Sequence, residues 1–230
     1  MRAWIAGLAL TLGVASAAAA MPVVLTRPPS AWTFPKIAAP KTPATAKINA
    51  ALRRLDRRWA GFVKDCGAGG KDASAERRVE TTLAGPRFLS LVARDEELCG
   101  GAHPDTDTLP LVYDLEAGRP VDWRKLLGPR LVTATATDSV IDGTTIGEIA
   151  SKTLQGLYVR AARPDGDCSE VLADPGLKFV AWLDGRRRGL VVEPVLPHVT
   201  RSCGEEQSIS LEDLRRLGAD AALTSALAGR

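Results

Sequence analysis

The chain is poor in the residues on which most hydrolytic chemistry depends. Its 230 residues include only two histidines, His103 and His198, set in dissimilar contexts. A zinc centre would need both, together with a carboxylate or thiolate, so no metal site is expected. Gly-x-Ser-x-Gly and His-Glu-x-x-His are both absent, which removes the signatures of serine hydrolases and zincins. Asp105-Thr-Asp107 and Asp165-Gly-Asp167 lack the further carboxylates of a calcium loop and read as solvated loops. No cofactor motif and no internal repeat is visible. The formal net charge is only +3, too small to imply a nucleic-acid partner.

What is present begins with an export signature. Met1-Arg2 is a minimal positive segment, Ala3 to Ala17 is apolar, and Ala18-Ala19-Ala20 is a small-residue cleavage pattern. We read 1–20 as a signal peptide. The apolar stretch is shorter than the ~20 residues of a membrane span, so no span is expected after cleavage. No cysteine at the cleavage site offers a lipid anchor. The expected location is periplasmic or secreted, and the expected state is a monomer.

Four cysteines in an exported chain imply two disulfides, with three possible connectivities. Cys66–Cys99 and Cys168–Cys203 are favoured. The first ties the end of a helix to the stretch discussed below, and the second ties two late loops. Loops of this size contribute roughly 3–4 kcal/mol each in the chain-entropy model. An oxidised sulfur cannot attack, so a catalytic thiol is not expected.

With 45% hydrophobic and 25% charged residues, the chain has an ordinary globular composition. The prolines between Pro22 and Pro43 make 21–43 an extended leader, with a β-edge segment near Trp32 and Phe34. Ile48, Leu52, Leu55, Trp59, Phe62 and Val63 keep helical spacing. The opposite face of that helix, with Arg53, Arg54, Arg57, Arg58 and Lys64, reads as solvated, or as a docking face for an anionic partner. Strands are expected at Val79–Leu83, Phe88–Ala93 and Leu109–Leu115, with a return through Val121 and Trp123. Ile146, Ile149, Leu154, Leu157 and Tyr158 read as a second helix, and Ala161–Asp174 as a loop. Leu177–Leu183 and Leu190–Val195 form a hairpin with Arg186, Arg187 and Arg188 at its tip. Ile209 adds an edge strand. Ser210-Leu-Glu-Asp213 opens a last helix. The expected domain runs over 44–218, followed by a fraying tail, 219–230.

The densest stretch is Cys99 to Leu127. Gly100-Gly101 permits a sharp bend, and Pro104 ends the run. That leaves His103 at the rim of a sheet, as a loop lock or a ligand contact. Gly118 supplies the positive φ of a short hairpin loop. Gly100, Gly101, His103, Gly118 and Trp123 form the candidate binding set. Arg186, Arg187 and Arg188 form an alternative basic patch. No residue is assigned a catalytic role.

Phe88-Leu-Ser-Leu-Val, then Cys-Gly-Gly-Ala-His-Pro, then Tyr-Asp-Leu-Glu-Ala-Gly-Arg resembles a bacterial extracytoplasmic domain family. That family occurs in the ectodomain of lysozyme-sensing anti-sigma factors of the RsiV type, beside peptidoglycan deacetylases, and in secreted proteins of unknown function. The similarity spans roughly Ile48 to Leu217. It implies a single α+β domain, an antiparallel sheet packed by two or three helices, with a non-enzymatic binding role. The implied partner is an envelope protein such as lysozyme, or a cell-wall polymer such as peptidoglycan. This chain departs from the family in having no cytoplasmic segment ahead of its hydrophobic stretch, and in its cysteines. Two other readings stand beside this one. A hydrolase or transferase acting on cell-wall glycan would show an acidic pair lining a pocket. A structural envelope protein would lack a concave rim with exposed aromatics near His103.

Overall fold

The computed structural model describes residues 21–229 apart from 41, 69, 71, 102, 133, 142 and 143. The expected signal peptide, 1–20, lies outside the described residues. Helix α1 (Pro43–Gly67) starts where proline at the first helical position costs nothing. Thr42 caps it, accepting from the Thr45 N–H at 3.2 Å, while the Thr42 N–H donates back to Thr45 Oγ1 at 3.3 Å. The first sheet is antiparallel, in the order β1 (Ser74–Ala84), β2 (Phe88–Leu98), β3 (Asp105–Asp114), β4 (Arg119–Pro120).

After α2 (Trp123–Leu127) comes the second sheet, also antiparallel. Its order is β5 (Ala134–Ile141), β6 (Thr144–Ala150), β7 (Lys178–Asp184), β8 (Gly189–Pro194), β9 (Gln207–Ser210). Helices α3 (Lys152–Ala162) and α4 (Gly166–Leu172) lie between β6 and β7. Helices α5 (Leu211–Arg216) and α6 (Ala221–Leu227) close the chain. The class is α+β. The single expected sheet is resolved into two, and six α-helices appear among the described residues.

The two faces of β2 explain the layering. Leu89, Leu91 and Ala93 point to α1 and pack with Ile48, Leu52, Leu55, Phe34 and Ile37. Phe88 and Val92 point the other way, into a larger core with Phe179, Trp182, Val191 and the apolar faces of α2, α3, α5 and α6. Residues 88–93 are therefore buried without a break. Ser90 lies among them at 0% exposure. Its Oγ accepts from Thr82 Oγ1 at 2.9 Å and from the Leu183 N–H at 3.1 Å. One hydroxyl thus joins the two sheets where a backbone N–H of β7 would otherwise be buried unpaired.

Several segments differ from the sequence reading, each for a local reason. The leader is extended, as its prolines dictate, but it belongs to the core: Phe34 is 1% exposed. The Ile37 N–H and C=O are both satisfied by the Asn49 side chain, at 2.8 and 2.9 Å. The return strand shrinks to Arg119–Pro120. Asp122 then caps α2 through the Arg124 and Lys125 N–H groups at 3.1 and 3.3 Å, so Trp123 opens a helix. Thr144–Ala150, rich in β-branched residues, is strand and not helix. Helix α3 starts only after Ser151, which caps it: its Oγ accepts from the Leu154 N–H at 3.2 Å. The loop expected over Ala161–Asp174 contains α4. The alanine-rich tail is a packed helix, with Leu223 and Leu227 buried.

Both favoured disulfides are present. Cys66–Cys99 joins the end of α1 to the β2–β3 bend, and Cys168–Cys203 joins α4 to the short 3₁₀ turn after β8.

Two predictions follow from this architecture. Ser90→Ala leaves the Leu183 N–H without its acceptor and is expected to destabilise by about 1–3 kcal/mol, read from urea unfolding. A value within error of zero removes the inter-sheet role. Non-reduced intact mass is expected to be four hydrogens below that of the reduced chain, with reduction lowering stability by about 2–5 kcal/mol per bridge. A mass for free thiols contradicts the pairing.

Candidate functional site

A cleft of about 500 Å³ opens beside the outer end of the first sheet. Helix α1 supplies one wall with Leu55, Arg58, Trp59 and Phe62. β1, β2 and β3 supply the floor, and Glu193 to Leu196 with Arg201 supply the opposite wall. The strands reach it because β1, β2 and β3 run on past the core as a ribbon, where burial gives way to polar residues. The bridge Cys66–Cys99 holds the ribbon's end to α1.

Five carboxylates line the cleft (Asp95, Glu97, Asp107, Glu148, Glu193) against three guanidinium groups (Arg58, Arg77, Arg201). Several of these charges are already spent. Arg77 Nε donates to Asp95 Oδ1 at 2.6 Å, and its guanidinium lies 4.0 Å from the centre of the Trp59 ring. The pair is nearly buried and serves as structural roofing. Arg201 donates to Asp105 at 2.6 Å and lies 3.6 Å from Asp107. Lys178 pairs with Glu148 at 3.0 Å.

The register then places like charges opposite one another. Glu97 faces Asp105 across β2–β3, Asp95 faces Asp107, and Glu76 faces Glu96 across β1–β2. Such cross-strand pairs are unfavourable. Glu97 has no ion-pair or hydrogen-bond partner among the described residues. Loss of solvent raises its carboxyl above the ordinary range, and Asp107, Asp105 and Asp95 push it further. Asp107 is raised by loss of solvent and by Asp105 and Asp95, with Arg201 opposing. Burial also raises Glu193, which accepts from Thr108 Oγ1 at 3.1 Å. Asp105 goes the other way: the Thr106 N–H and then Arg201 hold it below its usual value. The cleft therefore concentrates negative charge at reduced hydration beside two aromatic rings.

The predicted binding residues divide between the two ends of β3. Gly100, Gly101 and His103 lie on the β2–β3 bend near the cleft mouth, all exposed. Gly100 has φ +90°. The His103 ring stacks on His198, with centroids 6.2 Å apart, and His198 Nδ1 lies 3.7 Å from Asp105 Oδ1. The two histidines that looked unrelated in sequence thus meet. Among the described residues, however, no group of three His, Cys, Asp or Glu side chains converges as a metal set. Gly118 and Trp123 lie past the far end of β3. Trp123 is 6% exposed, part of the core and not of a recognition rim. One continuous surface over all five residues does not form.

At the hairpin tip Arg186 meets Glu80 at 3.4 Å and Arg187 pairs with Glu206, two glutamates that Arg94 shares, while Arg188 has no ion-pair partner among the described residues. Sequence reasoning missed Glu97, Asp107, Glu193 and Arg201. The signal for the first two was available. Asp95-Glu96-Glu97 and Asp105-Thr-Asp107 flank one bend between antiparallel strands, so they had to face each other.

No protein-family model and no curated protein matches the chain. Among solved structures, the chain is similar to a member of the DUF3298 family from Bacteroides fragilis. The sequence identity is 16% and the TM-score 0.45, over 83% of this chain and 75% of that one.

Proposed function

We propose that this protein is an exported, non-catalytic binding domain whose cleft receives a cationic group of an envelope partner. The observation that carries the reading is an excess of acid at the mouth of a concave cleft: Glu97, Asp105, Asp95 and Asp107 face one another across β2–β3, Arg77 and Arg201 pair with the three aspartates, and Glu97 has no ion-pair partner among the described residues. A fold gains nothing from opposing like charges, whereas a cationic ligand gains from them. The two disulfides support an oxidising compartment, and no helix among the described residues is long and apolar enough to cross a membrane. The resemblance to lysozyme-sensing ectodomains makes lysozyme, a cationic enzyme, the first partner. The net positive charge of the whole chain opposes such a partner, but the local charge at the cleft does not. Peptidoglycan is the other ligand within this reading.

One observation favours a glycan-acting hydrolase as the second reading. Glu193 and Asp107 are carboxyls with raised affinity for protons, and both line the same concave cleft. A glycosidase needs such an acid paired with an ionised carboxylate.

Two experiments test the site. Titration of the chain from residue 21 with lysozyme is expected to show binding that weakens with salt. Glu97→Gln/Asp107→Asn is expected to weaken it at least tenfold, and wild-type binding is expected to fade as pH falls and Glu97 takes up its proton, at a higher pH than an ordinary glutamate would. Lysozyme binding that is absent, or indifferent to the double variant, contradicts this partner and site. Hydrolysis of peptidoglycan that is lost in Glu193→Gln moves the assignment to the second reading.

The second experiment measures folding alone. Because the Glu97 pKa is raised on folding, the folded chain holds that proton to higher pH than the unfolded one. The contribution of Glu97 to stability therefore falls as pH rises through the window above its ordinary value. Glu97→Gln is expected to raise stability at pH 7 by about 0.2–1 kcal/mol, read from urea unfolding. A loss of stability contradicts the view that Glu97 is held there against the fold's interest.

A further inference from the structure

The outer face of α1 carries a second charged surface, opposite in sign to the cleft. Arg53, Arg57 and Lys64 are exposed along it, with Lys47 exposed about a quarter-turn round the helix toward the β3–β4 turn, and none of the four has a partner among the described residues. They span about 25 Å of helix axis at 1.5 Å per residue. The helix holds two acids. Asp56 is consumed by Lys36 at 2.5 Å and by the Phe34 N–H at 3.0 Å, and Asp65 lies at the far end.

At the N-terminal end of this stripe is a hollow of about 260 Å³, where Lys47, Arg54 and Arg119 surround a floor of Ala50, Ala51 and Pro120. Among the described residues no acidic side chain lines it. Arg119 is brought there by a close backbone approach. Gly118 has φ +66°, and a Cβ on it would lie 2.6 Å from the Ala44 Cα. Only glycine lets the β3–β4 turn sit flat on α1, so Gly118 serves to set Arg119 beside Lys47.

From this stripe and hollow, we infer that α1 binds a linear polyanion, a chain bearing regularly spaced phosphate or carboxylate groups, with one group seated between Lys47 and Arg119. Three observations select this occupant. The cations follow one straight helix, which matches a linear chain. The stripe carries little exposed apolar area to enter a lipid surface: Val63, at 38% exposed, is the large apolar side chain beside it. In the competing basic element, the Arg186–Arg188 tip, Arg186 meets Glu80 and Arg187 pairs with Glu206, leaving Arg188, whereas all four cations of the stripe are without a partner among the described residues.

The test uses the chain from residue 21 and medium-chain sodium polyphosphate as the probe, with phosphatidylglycerol vesicles as a separate arm. Binding to polyphosphate is expected at low salt, with affinity falling steeply as salt rises. Lys47→Ala/Arg119→Ala is expected to lose about tenfold in affinity, with a log–log salt slope smaller by about two and an unchanged melting temperature. Arg186→Ala/Arg187→Ala is expected to bind as the parent does. Arg53→Ala/Arg57→Ala provides a second reading of the stripe should the first pair disturb the β3–β4 turn. Polyphosphate binding that is absent, or unaffected by both α1 variants, or lost instead in the hairpin variant, overturns the inference. So does binding to vesicles without binding to polyphosphate.

Discussion

The burial of β2 on both faces is the constraint from which the other features follow. Leu89, Leu91 and Ala93 need α1, while Phe88, Ser90 and Val92 need the second sheet. The strand is thereby fixed in register by two independent cores, since a slip of one residue would exchange its faces. Past Ala93 the same strand leaves both cores, and its residues need only pair. A ribbon anchored this firmly tolerates opposed acids at its far end. Each such pair costs at most about 1 kcal/mol, and the bridge Cys66–Cys99 at the ribbon's tip contributes about 2–4 kcal/mol. The bridge therefore outweighs the repulsion, and the acidic mouth persists in a folded chain.

Period and turn chemistry made much of this fold legible in the sequence. The helix over Ile48–Val63, the alternation at Leu109–Leu115, the Asp184-Gly185 hairpin and the cap at Ser210 all form, because local preference and tertiary burial agree there. The misread segments are those where two periods overlap. Ile146 and Ile149 are three apart, as on a helix, yet belong to β6. The tail lacked any visible reason to be ordered because that reason is tertiary: Leu223 and Leu227 complete a core built mostly by residues far away in sequence. Trp123 was read as a recognition aromatic. Its burial depends on Asp122 turning the chain into α2, a cap that competes with the strand and wins.

The candidate site was only half legible. The bend Cys99–Pro104 is at the mouth of the cleft, but the groups that define the cleft come from β2, β3 and the segment after β8. Net charge hid them. A chain of +3 overall reads as nearly neutral, while the structure sorts its charge into an acidic mouth beside the ribbon and a basic stripe on the back of α1. Long-range encounter depends on that local arrangement and not on the sum.

Amide hydrogen exchange of the chain, with and without lysozyme, tests the central claim most directly. The account predicts slowed exchange over Asp105–Leu109 and over Glu193–Arg201, with no change over Gly118–Trp123. Protection at Gly118–Trp123, or at the Arg186–Arg188 tip without protection along Asp105–Leu109, would contradict it.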